Sequence, residues 1–290
     1  MRLIDKLPSV PKFDKKIIRM VSDLLFIEDK PFNKADSSDT ITYVPIWKYD
    51  WDNGWRIGGS MPHNHNAALQ IMGNIAFLKD MFCGNQGLNI NRKHLHFIPQ
   101  LIITGGISPA YTQDNEETRL VKQLYTKNGA YDWNDVLNYP QSEIIKDLLM
   151  TMKWTPWSYQ NGAVKPLLDT KSTNTKENFM AVKEAGWYKD IKHLRLFTTA
   201  ESSLRVLATA RKQLPELTDV ATMSYTPTFP EYNVVCDKEN WAKHQLSQRY
   251  VYGELLRVIK YDELGDIKLT DIEKTKLNNI VAELSSKQRC

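Results

Sequence analysis

Two H-x-H pairs, His63-Asn64-His65 and His94-Leu95-His96, hold four of the six histidines of the chain. In an extended segment, residues two apart project from the same face, so each pair can offer two imidazoles to one ion. Two such pairs side by side would make a four-nitrogen site, or a three-nitrogen site with an open position. Imidazole suits zinc, copper, iron and nickel. The chemistry this predicts is hydrolysis by metal-activated water, zinc being the type case. The pairs lie in an unusually uncharged stretch: from Ile57 to Gln113 only Lys79, Asp80, Arg92 and Lys93 are charged. Asp80 is the single acid there, so a general base would come from elsewhere in the chain. The competing reading is of hydrogen-bonded histidines in the core or loops of that stretch, with Asn64 and Asn66 capping the apolar helix that follows.

A second cluster is aromatic. Trp47, Tyr49, Trp51 and Trp55 are interleaved with Lys48 and Arg56. Aromatics beside cations suit a protein interface, where Trp, Tyr and Arg are enriched. They also suit stacking on single-stranded nucleic acid, or cross-strand packing in a hairpin. Lys153, Trp154 and Trp157 form a smaller group of the same kind.

Other features carry less chemistry. Cys83 sits toward the end of an apolar helix, where no helix N-terminus stabilises a thiolate, and reads as an inert buried thiol. Gly105-Gly106 follows the apolar run Leu101-Ile102-Ile103-Thr104, but Ile107-Ser108-Pro109 comes next, so neither phosphate-binding glycine pattern is met and a turn is expected. The chain has no G-x-S-x-G elbow, no H-E-x-x-H and no EF-hand loop. Glu28-Asp29-Lys30 copies part of a nuclease E-x-K pattern, but at a helix end before Pro31.

The elements that must position these residues follow from periodicity. Helices are expected over 13–28, 66–83, 114–129, 142–152, 176–185, 200–213, 239–260 and 271–286, the sixth opened by the capping pattern Thr198-x-x-Glu201. Alternation over 41–49, the turn Asp52-Asn53-Gly54 and the returning Trp55-Arg56-Ile57 predict a Trp-rich β-hairpin at about 41–58, with Pro45 marking an edge or a bulge. Extended pieces are expected over 94–104, 193–198, 219–226 and 232–236. The irregular order predicts an α+β fold of mixed helices and short strands rather than a regular βαβ array.

The totals set bounds. With 290 residues, 42% apolar and 25% charged, the chain can bury a large core and reads as one compact unit. If it divides, the Pro-, Gly- and Thr-containing stretch 155–175 is the expected boundary. A net charge of +4 from 38 basic and 34 acidic residues, evenly mixed, does not favour nucleic acid as the partner. Three scattered cysteines exclude a disulfide framework. No apolar run long enough for a membrane span or a signal peptide is present, which predicts an intracellular protein with no membrane association.

The leading expectation is a non-enzymatic interaction or assembly protein without a cofactor, binding a protein partner or forming a homo-oligomer through Trp47, Tyr49, Trp51, Trp55 and Arg56. The alternative is a zinc-type hydrolase with His63, His65, His94 and His96 as metal ligands. A nucleic-acid-binding protein is third.

Overall fold

A computed structural model describes residues 13–28, 40–45, 100–106, 165–189, 191–226 and 234–287, with positions 11, 140, 142, 143, 146, 228 and 229. The expected helices over 66–83 and 114–129, and most of that over 142–152, lie outside the described residues. What is described mixes five α-helices with seven strands, the α+β composition expected. Two compact units account for it: a sheet unit of residues 31–197 and 217–219, and a helical unit of residues 1–30, 198–216 and 220–290.

The sheet is built from β1 (Thr40–Pro45), β2 (Gln100–Thr104), β3 (Leu167–Asp169), β4 (His193–Thr199) and β5 (Asp219–Tyr225), in the order β3-β2-β1-β4-β5. β1 pairs in parallel with β2, Ile41 to Pro45 against Gln100 to Thr104. It also pairs in parallel with β4, Thr40 to Tyr43 against His193 to Leu196. β2 pairs in parallel with β3, Ile102 to Thr104 against Leu167 to Asp169. From β1 the order runs outward through β2 and β3, then reverses to β4 on the other side.

Parallel strands covered on both faces read as continuous apolar runs, not alternations. Leu101, Ile102 and Ile103 are buried in succession, as are Leu194, Leu196 and Phe197. The strand expected from residue 41 is present, but both edges of Ile41–Tyr43 are taken by parallel neighbours, so these residues are not one arm of a hairpin. The expected return over 55–57 lies outside the described residues. Pro45 is the last residue of β1, beyond the register with β4, where a missing N–H removes no ladder bond on that side. Leu167–Asp169, inside the stretch that reads as linker-like, are a strand of the sheet.

Helix α1 (Lys15–Leu25) begins where Asp14 accepts a hydrogen bond from the Ile17 N–H at 2.8 Å. Helix α2 (Thr175–Glu184) begins with a reciprocal box: Asn174 accepts from the Glu177 N–H, and the Glu177 carboxylate accepts from the Thr173 N–H at 2.6 Å. Gly186, at φ 69°, ends it as expected for a left-handed cap. Helices α3 (Ser203–Gln213), α4 (Gln245–Glu263) and α5 (Asp271–Lys287) belong to the helical unit with α1. α5 opens on Thr270, whose Oγ1 accepts from the Glu273 N–H while Glu273 accepts from the Thr270 N–H.

The α1 face Ile17, Val21, Leu24 and Leu25 is buried, with Leu204 and Leu207 of α3, Leu255 and Leu256 of α4, and Leu277 and Ile280 of α5. Trp241 is fully buried, and its indole N–H donates to Ser22 Oγ at 2.8 Å, which donates on to the Lys238 carbonyl. Phe13 meets Trp241 edge-on with ring centroids 5.3 Å apart. β6 (Thr228–Phe229) and β7 (Val234–Val235) form a separate antiparallel pair.

Two glycines give opposite expectations. A Cβ on Gly106 would lie 2.8 Å from the Lys171 carbonyl carbon and oxygen, whereas one on Gly253, inside α4, would touch nothing within 4 Å. Gly106→Ala should therefore destabilise by about 1–3 kcal/mol. Gly253→Ala should stabilise by about 0.5–1 kcal/mol through helix propensity. Urea unfolding of the two variants against the parent checks both signs.

Candidate ligand site at the carboxyl edge of the sheet

In open parallel sheets ligands bind outside the carboxyl ends of the strands, because side chains and loop N–H groups converge there without interrupting the ladder. In the sheet unit the carboxyl ends of β2 and β3 are tied together by backbone. The Gly105 N–H donates to the Asp169 carbonyl at 3.1 Å, and the Gly106 N–H to the Ser172 carbonyl at 2.7 Å. The Gly105 carbonyl in turn accepts from the Ser142 N–H at 3.0 Å. Gly105, at φ 134°, adopts backbone that other residues rarely reach, and Gly106 admits the 170–171 backbone where any side chain would collide. The turn expected at Gly105-Gly106 is thus a clamp between β2 and the residues after β3.

Asp169, the last residue of β3, sits in this clamp and is buried. Its Oδ1 accepts from the Lys171 N–H at 3.0 Å and from the Ser172 N–H at 3.2 Å, which holds the carboxylate in one orientation. Its Oδ2 is buried and has no hydrogen-bond partner. Ser142 Oγ, on the other flank of Gly105, is also buried without a partner. Buried polar atoms ordinarily find partners, so these two, on residues bonded to the Gly105 N–H and carbonyl, are the polar groups of this edge left to be satisfied. An ionised carboxylate oxygen accepts only, while a serine hydroxyl both donates and accepts.

The sheet unit has a second polar cluster at the amino end of β4. Arg195 is fully buried, and its guanidinium donates to both Asp219 oxygens at 3.2 and 3.3 Å. His193 Nδ1 lies 2.5 Å from the same carboxylate. The evident role of Asp219 is to neutralise an arginine inside a sheet.

In the helical unit, a single 3-10 turn (Ala200–Ser202) leads into α3 and buries Glu201. The capping bond expected from Thr198 is not made: Thr198 stays in β4, Thr199 takes the N-cap position, and Thr198 Oγ1 is buried without a partner. Burial pushes the Glu201 carboxyl up to about 7, with the nearby Glu254 carboxylate adding to the rise and a hydrogen bond from Thr199 opposing it. Burial alone would also raise Glu254, but the Arg205 and Arg257 guanidinia beside it hold its carboxyl below the usual value. Arg205 pairs with Glu254 through Nε and through Nη2 at 3.2 Å, and Arg257 Nη1 reaches the same carboxylate at 2.9 Å. Cys236 is a buried thiol, pushed well up first by burial and then by the Glu201 and Asp237 carboxylates, which fits no nucleophilic role.

His63, His65, His94 and His96, and Trp47, Tyr49, Trp51, Trp55 and Arg56, lie outside the described residues. Among the described residues no group of three or more His, Cys, Asp or Glu could hold a metal ion, and no helix is long and apolar enough to cross a membrane. Asp169 and Glu201 were not singled out by sequence as site residues. The available signal for Asp169 was an Asp closing an apolar triplet and followed by Thr170-Lys171-Ser172, the pattern of a side-chain-capped turn. No family model matches the chain, and no curated protein or solved structure does.

Arg205 and Glu254 are 3% and 1% exposed, so removing one partner strands the other charge in the core. Glu254→Gln should destabilise by about 3–5 kcal/mol. Replacing both, as Arg205→Met with Glu254→Leu, should recover most of that loss. A chemical-denaturation double-mutant cycle checks the pair, and a double variant as unstable as Glu254→Gln contradicts the account.

Proposed function

We propose that this chain binds a small polar molecule at the carboxyl edge of its parallel sheet, with Asp169 as the principal acceptor. The observation that carries the reading is the buried, oriented Asp169 Oδ2 with no partner. Such an oxygen is matched by an N–H or O–H donor and repels phosphate or carboxylate, so the guest is neutral or cationic at that contact. Nucleosides and amino sugars have that chemistry. The Ser142 hydroxyl, beside the same Gly105 peptide, supplies a group that can donate as well as accept. The parallel pairing of β2 with β3 supports a ligand at this edge, since both strands present their carboxyl ends there.

The test is a thermal-shift and calorimetric series with uncharged nucleosides and amino sugars on the full chain and on Asp169→Asn. That variant keeps Oδ1 for the 171 and 172 N–H groups and turns Oδ2 into a donor. A ligand at 100 times its Kd should stabilise the parent by about 2.7 kcal/mol, and the variant should fold but lose the response. An unchanged response in Asp169→Asn counts against the assignment, as does a series with no response.

The second reading is a protein-interaction or assembly role through Trp47, Tyr49, Trp51, Trp55 and Arg56. It is favoured by the clustering of three Trp, one Tyr and one Arg within ten residues, the residue types enriched at protein interfaces. Light scattering after size exclusion checks it. The parent should run as an oligomer that Trp47→Ala with Trp51→Ala dissociates, and a monomeric parent would leave assembly without support.

A further inference from the structure

Glu201 is a buried carboxyl in the helical unit that the ligand reading does not use. It is 4% exposed, and its Oε2 has no hydrogen-bond partner. The turn that carries it packs against α1, α3 and α4. From α4 it is faced by Glu254 and Arg257, and the residues after β7 bring Cys236 and Asp237 into the same neighbourhood. From α3 comes Arg205, whose guanidinium bonds Glu254. From α1 the buried residues are Ile17, Val21, Ser22, Leu24 and Leu25, with Lys15, Lys16, Arg19 and Asp23 exposed. Both neighbouring arginines bond Glu254, and Arg257 offsets only part of the rise that burial and Glu254 impose on the Glu201 carboxyl. A neutral carboxyl is compatible with that position. A carboxylate there faces the buried apolar face of α1 and a second carboxylate, which the Thr199 hydrogen bond and Arg257 only partly offset.

We propose that Glu201 is a proton-operated latch: protonated, it seats the turn before α3 between α1 and α4, and on losing its proton it loosens that seat. The direction follows from linkage. The folded carboxyl holds its proton up to about pH 7, while the ordinary value is 4.5. Between these values the folded state binds a proton that the unfolded chain has released, so stability falls as pH rises through the window and is level above it. Separation of that size corresponds to roughly 150-fold in the folding equilibrium at pH 8 relative to pH 4.5.

Two measurements on the full chain test it. The first is the thermal midpoint of the parent and of Glu201→Gln from pH 4.5 to 8.5. The midpoints should coincide at the acid end and separate as pH rises, with Glu201→Gln the more stable at pH 8. Parallel profiles overturn the proposal. The second is the carboxyl carbon resonance of Glu201 in the parent, assigned by its loss in Glu201→Gln, or by neighbour contacts if that variant does not fold. Titration near pH 7, with faster amide exchange at the start of α3 on the alkaline side, is expected. Titration near 4.5 overturns the latch, as does amide exchange at the start of α3 that is unchanged across the transition once the intrinsic pH dependence is removed.

Discussion

Parallel pairing on both edges of β1 is the constraint on which the rest of the sheet unit depends. A strand with parallel neighbours on each side cannot be reached by short turns, and every return must cross over a face of the sheet. Strands so placed are buried along their length, as Leu101 to Ile103 and Leu194, Leu196 and Phe197 are. Polar chemistry is then driven to the strand ends. Thr104, Gly105 and Asp169 stand at the carboxyl ends of β2 and β3, and His193 and Asp219 at the first positions of β4 and β5.

The polar groups that do enter the interior are handled in two ways. Arg195 is neutralised by Asp219, and Arg205 by Glu254, each with more than one hydrogen bond. Such pairs contribute little net stability against an apolar replacement, since desolvation offsets most of the attraction, but they fix which side chains meet. Asp169 and Glu201 are treated differently. Each has one satisfied and one unsatisfied oxygen; Asp169 terminates β3, and Glu201 stands two residues beyond β4.

Local elements were legible in the sequence where the signal is local. The 13–28 periodicity, the run Leu101–Thr104 before two glycines, and Gly186 after an amphipathic decamer are all realised within a few residues. Strand order was not legible, because pairing partners lie about 60 to 150 residues apart and alternation over 41–49 is equally that of a hairpin arm. β3 escaped because three residues flanked by Pro166 and Lys171-Ser172-Thr173 have the composition of a connection. Thr198-x-x-Glu201 was read as a cap because the residue types match, but β4 runs on through Thr199, so Thr198 stays a buried strand residue and Thr199 takes the N-cap position. Two conclusions of the sequence, the imidazole pairs and the aromatic cluster, concern residues the structure does not describe.

The helical unit is discontinuous in the chain, and that has a consequence for biosynthesis. α1 emerges first, but α3 and α5, against which it packs, follow about 180 and 250 residues later. At ribosomal rates of 5–20 residues per second, the apolar face of α1 waits roughly 10–40 s for even its first partner. A nascent chain with Ile17, Val21, Leu24 and Leu25 uncovered for that interval presents an apolar stripe to its surroundings. Completion of this unit therefore waits for α5 to emerge, however early α1 itself is made.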